Sequence, residues 1–246
     1  MLLFVYANAV WFFAGLIVGL TSFGGNLFAV PLLAFVMPAR ETIVLGCLLF
    51  PATAVTLSVM YRRAILWREV ALLGIPSILG IPLGIVFLSR APSRLILLAA
   101  ALCVLLFLVW QGIAARRKCP PTPLSLAYAI PLGAMSGILL GAIGLGGPPL
   151  AFYGLRRLWG KENALATLSM VGVVSLVVLF PLQWRAGFYT PELLKMGVWC
   201  SGFAVLGIFA SLPLVSRINI RLFRSLMLGM IAFSALSLLV KAALAW

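Results

Sequence analysis

Two glycine-rich stretches hold the residues best suited to binding chemistry. Thr21, Ser22, Gly24, Gly25 and Asn26 make up one, and Gly144, Gly146 and Gly147 the other. In each, an apolar helix runs into paired glycines and a second apolar segment starts just beyond them. A restarting helix presents first-turn N–H groups with no intrahelical acceptor and the positive end of its dipole, which together suit an anion. Glycine lets a ligand approach the backbone closely. Pro148 and Pro149 fit a first turn, where an N–H would be unpaired anyway. Asn26 is placed to cap the restarting helix, and Thr21 and Ser22 add hydroxyl donors. The expected chemistry is non-covalent capture of a small oxyanion at these eight positions.

Reactive chemistry has few carriers. The chain has no histidine and no aspartate, and its four acids are Glu41, Glu69, Glu162 and Glu192. Each acid begins or flanks an apolar run, where a first-turn carboxylate suits the helix dipole. Metal binding needs clustered ligands and hydrolysis needs a positioned base, so neither a metal, a cofactor nor an enzymatic activity is expected. The cysteines Cys47, Cys103, Cys119 and Cys200 are scattered, with no CxxC pair, and read as small apolar filler.

The two stretches are copies of one another. Displaced by 122 residues, Gly15, Gly19, Gly24 and Gly25 fall on Gly137, Gly141, Gly146 and Gly147. Of the 246 residues 64% are hydrophobic and 9% charged, against about 25% charged in a soluble domain, so the chain is an integral membrane protein. The N-terminal MLLFVYANAVWFF lacks the basic region of a secretory signal and is expected to be retained. Residues 2–39 carry no charge. As one helix they would measure about 57 Å, against a hydrocarbon core of about 30 Å. A hairpin turning at Thr21–Asn26 fits better. Cys119 to Leu155, also uncharged, is expected to turn at Gly144–Pro149, with its short return arm Pro148–Leu155 putting that turn near mid-membrane. The arm Leu27 to Ala39 is longer. Further spans are expected over Thr42–Tyr61, Val70–Leu88, Leu95–Ile113, Ala164–Gln183, Leu193–Val215 and Ser225–Trp246. Hydroxyls at Thr53, Thr56, Ser58, Thr167, Ser169 and Ser175 are secondary candidates for a pathway, set against the common habit of such groups to bond their own helix.

Each half is thus a hairpin and three spans, an odd number of net crossings, which inserts the second half upside down. Basic residues test the parity. Were each glycine-rich region a single crossing, the 18 Lys and Arg would divide equally between the two sides. With hairpins, twelve collect on one side: Arg62, Arg63, Arg68, Arg116, Arg117, Lys118, Arg156, Arg157, Lys161, Arg217, Arg221 and Arg224. Six remain opposite: Arg40, Arg90, Arg94, Arg185, Lys195 and Lys241. The positive-inside rule then puts the first set in the cytoplasm. The scatter of these charges between apolar runs also excludes a nucleic-acid-binding domain, despite a net charge of +14.

At the glycines the chain resembles the sulfite exporter TauE/SafE family, of the toluene sulfonate uptake permease group. The residues that carry the likeness are GLTSFGGNLFAVPLL, Gly19 to Leu33, and GAIGLGGPPLAFYGL, Gly141 to Leu155. Asn26 stands where a third small residue is common, and Tyr153 where the first half has Pro31. The resemblance implies transport of small sulfur-containing anions, sulfite or organosulfonates, outward across a bacterial inner membrane; the residues alone reach an anion transporter. An anion channel would call for a continuous polar stripe, and a non-transporting assembly protein for no duplicated break. The expectation is therefore an all-α polytopic membrane protein of two inverted repeats, each a glycine-broken helical hairpin plus three transmembrane helices. The first repeat is residues 1–115, the linker 116–123 and the second repeat 124–246. Partners would be a small anionic substrate and the lipid bilayer, with a homodimer a possible further association. Reporter fusions test the topology: both termini are expected outside, with Arg116–Lys118 and Arg156-Arg157 in the cytoplasm. Termini found on opposite sides would remove the inverted repeat.

Overall fold

Each long uncharged stretch resolves into two antiparallel helices. The computed structural model describes residues 2–21, 24–116, 124–217 and 236. Among them lie α1 (Leu2–Thr21), α2 (Gly25–Ala34), α3 (Ala39–Met60), α4 (Trp67–Arg90), α5 (Ser93–Arg116), α6 (Ala129–Ile143), α7 (Gly147–Arg156), α8 (Lys161–Arg185) and α9 (Pro191–Arg217). Six of the helices among the described residues are long and apolar enough to cross a membrane, so this is a multi-pass membrane protein. The span expected over Ser225–Trp246 and the linker beyond Arg116 fall outside the described residues.

Helix ends follow local chemistry. Glu41, Glu69, Glu162 and Glu192 sit in the first turns of α3, α4, α8 and α9, where the helix dipole favours a carboxylate. Pro38 stops the run after α2: the residue before a proline is pushed out of the helical region. The first return arm is therefore shorter than Leu27 to Ala39. Both α2 and α7 have ten residues, about 15 Å or half a hydrocarbon core.

Hydrogen bonds close both hairpins at their open ends. The Tyr6 hydroxyl donates to Leu32 O at 3.3 Å, bringing the start of α1 to the end of α2. In the second hairpin Leu124 N donates to Arg156 O at 3.1 Å, and Arg157 Nη1 donates to Leu124 O at 3.1 Å. The end of α7 is also anchored to α4. Glu69, 6% exposed, accepts from the Tyr153 hydroxyl at 2.7 Å and from Arg157 Nη2 at 2.9 Å and Nε at 3.2 Å. Glu69 is thus more than a dipole carboxylate, and Arg157 more than an orienting charge.

The halves are interlocked. First arm α1 packs along α9 of the second half, and first arm α6 packs along α4 of the first. Glycines make both contacts backbone to backbone, as small residues do between membrane helices. A Cβ at Gly15 would overlap Ala204 O, and one at Gly137 would overlap Ser77 O. From the other side, Gly207 meets Phe12 O and Leu16 N, while Gly80 meets Ala134 O and Ile138 N. These are the same contacts twice, because Ala134 and Ile138 lie 122 residues after Phe12 and Leu16, and Ala204 and Gly207 lie 127 after Ser77 and Gly80. The pairs α3–α9 and α8–α4 also correspond.

Helices α3 and α8 pack on each other and run antiparallel. Arg40, at the start of α3, lies 5.9 Å from the Phe188 ring just beyond the end of α8. Past the other end of α3, Leu66 N donates to Thr167 Oγ1 near the start of α8 at 3.1 Å.

Candidate functional site

Gly24 has φ 102° and Gly144 φ 70°, left-handed values that glycine adopts without a Cβ penalty. At Gly144 this conformation ends α6, with Gly144 N bonded to Leu140 O at 3.0 Å. At Gly24 it starts α2, with Phe28 N bonded to Gly24 O at 3.0 Å. By helix geometry the amides of Gly25, Asn26 and Leu27 have no acceptor within α2. Pro148 and Pro149 lie in the first turn of α7 and supply no N–H, so that turn offers fewer donors than the first turn of α2.

The two breaks meet. Asn26 Nδ2 donates to Gly144 O at 2.7 Å, joining positions 118 residues apart. Asn26 therefore does not cap α2: the cap position is Gly24, with no side-chain hydrogen bond. The helix starts two residues earlier than a cap at Asn26 would require, so this side chain leaves the first turn sideways, towards the other hairpin. Gly46 of α3 makes room for it, since a Cβ there would lie 2.7 Å from Asn26 Oδ1.

A cavity with about 60 Å³ of free space lies where the breaks meet. A buried water needs at least about 10–15 Å³, so the space suits a few waters or one small ion. Gly24, Gly25, Asn26, Gly144, Gly146 and Gly147 all line it. Thr21 instead closes its hydroxyl on Ile17 O at 2.7 Å, behind Gly24. Ser22 falls outside the described residues. The remaining wall comes from Trp11, Ala14, Gly15 and Val18 of α1, from Gly46 to Ala54 on α3, from Leu140, Leu145 and Pro148, and from Ser169 of α8. Thr53 in this wall donates to Phe50 O at 3.0 Å.

A second, smaller cavity of about 40 Å³ is the repeat copy of the first. Adding 122 to Val18, Gly24, Gly25, Gly46, Phe50 and Thr53 gives Leu140, Gly146, Gly147, Leu168, Gly172 and Ser175, which line it. Its hydroxyls are engaged. Ser136 donates to Gly146 O at 2.7 Å, and Ser175 donates to Val171 O at 2.9 Å and pairs with Ser77 at 3.0 Å. Phe50 lines both cavities and packs its ring on Gly172, its own repeat partner. Of the secondary hydroxyls, Thr56 bonds back to Ala52 O at 2.6 Å and Thr167 accepts from Leu66 N.

Trp11, Gly46, Phe50 and Ser136 escaped the sequence reading. The signal for one pair was present: Phe50 and Gly172 are 122 residues apart, and so large a difference at equivalent sites marks a knob and its hole. Among the described residues no cluster of His, Cys, Asp or Glu could hold a metal ion.

The sulfite exporter TauE/SafE family model matches residues 7–238, nearly the whole chain. No curated protein and no solved structure matches it. The chain belongs to the TauE/SafE family, a family of membrane transporters of the sulfite and sulfonate type and not of enzymes.

The link between the breaks is testable by stability. Asn26→Leu preserves volume but leaves Gly144 O buried without its donor, which costs about 1–3 kcal/mol. At roughly 2–4 °C per kcal/mol for a chain of this size, purified Asn26→Leu should melt several degrees below the parent by scanning fluorimetry. An unchanged melting temperature would show that the link contributes nothing.

Proposed function

We propose that this member of the TauE/SafE family exports small oxyanions of sulfur, sulfite or organosulfonates, across a bacterial inner membrane. The anion binds in the cavity between the two glycine breaks. One observation carries this reading: two helix breaks far apart in the chain converge on one cavity, joined by Asn26 and Gly144 O. The lining holds backbone donors and an amide, and no carboxylate that would repel an anion. Gly24, Gly25, Asn26, Gly144, Gly146 and Gly147 are the binding residues on this reading. Thr21 and Ser22 stand next to them in the chain.

The halves form an inverted repeat, with both termini outside. Support comes from the antiparallel run of α3 and α8, from the repeated exchange of first arms, and from hairpins whose ends lie together. The paired cavities are then two sides of one pathway, closed against each other where Phe50 fills Gly172. Rocking of one half against the other moves the anion from one side to the other.

Export needs no coupled ion. Glu69 is held by Arg157 and Tyr153 at the start of α4, away from the breaks, so it is no proton relay at the site. An anion leaving a cell that is negative inside gains about 2.3 kcal/mol per charge for each 100 mV. That is about a fortyfold ratio for a monoanion.

Flux in proteoliposomes tests both parts. Under a clamped potassium-diffusion potential, sulfite or methanesulfonate efflux should follow the potential with pH and sodium gradients absent. Gly25→Leu and Gly147→Leu should each reduce it at least tenfold while the protein still inserts. Gly202→Leu is the control, because Gly202 is exposed with nothing within 4 Å of its Cβ position. Flux that ignores the potential and follows a proton gradient would refute the driving force. Intact flux in both break variants would refute the site.

A further inference from the structure

We propose that the indole N–H of Trp11 is a ligand-binding donor of the first cavity, making a direct hydrogen bond to an anion oxygen. The inference rests on the reading of that cavity as the anion site, and it adds a residue from outside the glycine breaks.

Trp11 is 3% exposed, and its Nε1 is buried without a hydrogen-bond partner. Buried donors are nearly always paired, and leaving one unpaired is costly, so an orphan N–H beside a cavity calls for a function. Its place on α1 is consistent with one. Trp11, Ala14, Gly15 and Val18, spaced i, i+3, i+4 and i+7, are the face of the helix that lines the cavity. An indole can only donate, so the group that satisfies it must be an acceptor. Gly25 and Asn26, at the N-terminus of α2, share this lining and favour negative charge. Both features select the same kind of ligand, an oxyanion.

Packing in the hydrophobic core accounts for the Trp11 ring but leaves its N–H unsatisfied. The repeat partner of Trp11, 122 residues on, is Gly133, where the missing side chain lets α6 lie against Leu73 O of α4. The fold thus builds one such position around a glycine and the other around a tryptophan. The donor belongs to the first cavity alone, and the second cavity has no counterpart of it. The first cavity is therefore the tighter binding station.

The test uses the full chain purified in detergent with 15N-labelled tryptophan, titrated with sodium sulfite and sodium methanesulfonate. There are seven tryptophans, and the indole resonance missing from Trp11→Phe is that of Trp11. That resonance should move downfield and saturate with the anion. Trp11→Phe should bind the same anion about ten- to a hundredfold more weakly, as expected for loss of a hydrogen bond to a charged group. If Trp11→Phe cannot be purified, replacing the other tryptophans singly assigns the resonance, and its response to anion decides. Anion binding that Gly25→Leu abolishes but that leaves the Trp11 resonance and Trp11→Phe affinity unchanged overturns the Trp11 role and keeps the cavity. Failure of both anions to bind, or binding indifferent to Gly25→Leu, overturns the cavity reading and the Trp11 role with it.

Discussion

A break in a helix inside a bilayer leaves backbone N–H and C=O groups with no partner, and lipid supplies none. The rest of this architecture answers that constraint. Each half breaks its first helix at paired glycines and relies on the other half to cover the break. For that, α1 must lie on α9 and α6 on α4, close enough that Gly15 and Gly137 touch backbone carbonyls across the contact. Gly144 O, freed by the left-handed end of α6, is satisfied from the other hairpin by Asn26. Each break is thus covered partly from its own half and partly from the other.

On the proposed reading, the same constraint leaves a binding site behind. Groups that are shielded from lipid yet not used by the helices are available to a ligand, and at the start of α2 they are donors. Proline thins the donors at α7, while Ser136 secures Gly146 O. The two copies are thus unequal in chemistry though alike in helix arrangement. On the proposed reading, one stronger station and one weaker one give a built-in preference for where the anion rests, and Phe50 against Gly172 lies between the two cavities.

Much of this was legible in the chain because it rests on glycine, proline and charge, whose backbone effects are local. The two hairpins, the packing role of Gly15 and Gly137, and the spans now seen as α3, α4, α8 and α9 all follow from such signals. What was not legible depends on partners distant in sequence. Asn26 reads as a cap, since asparagine at a helix start usually is one; only the neighbouring Gly46 and the distant Gly144 O redirect it. Trp11 sits in an uninterrupted apolar run and looks like any membrane-helix tryptophan until its N–H is found without an acceptor. Glu69, Tyr153 and Arg157 come from two halves, and no local pattern brings them together.

The central claim is that the paired breaks hold the anion. Selenite, the heavier congener of sulfite, tests it most directly, because selenium can be located by its anomalous scattering in crystals of the protein. One selenium peak is expected in the first cavity, with selenite oxygens about 3 Å from the amides of Gly25 and Asn26 and from Trp11 Nε1. A peak elsewhere, with that cavity holding only water, would contradict it.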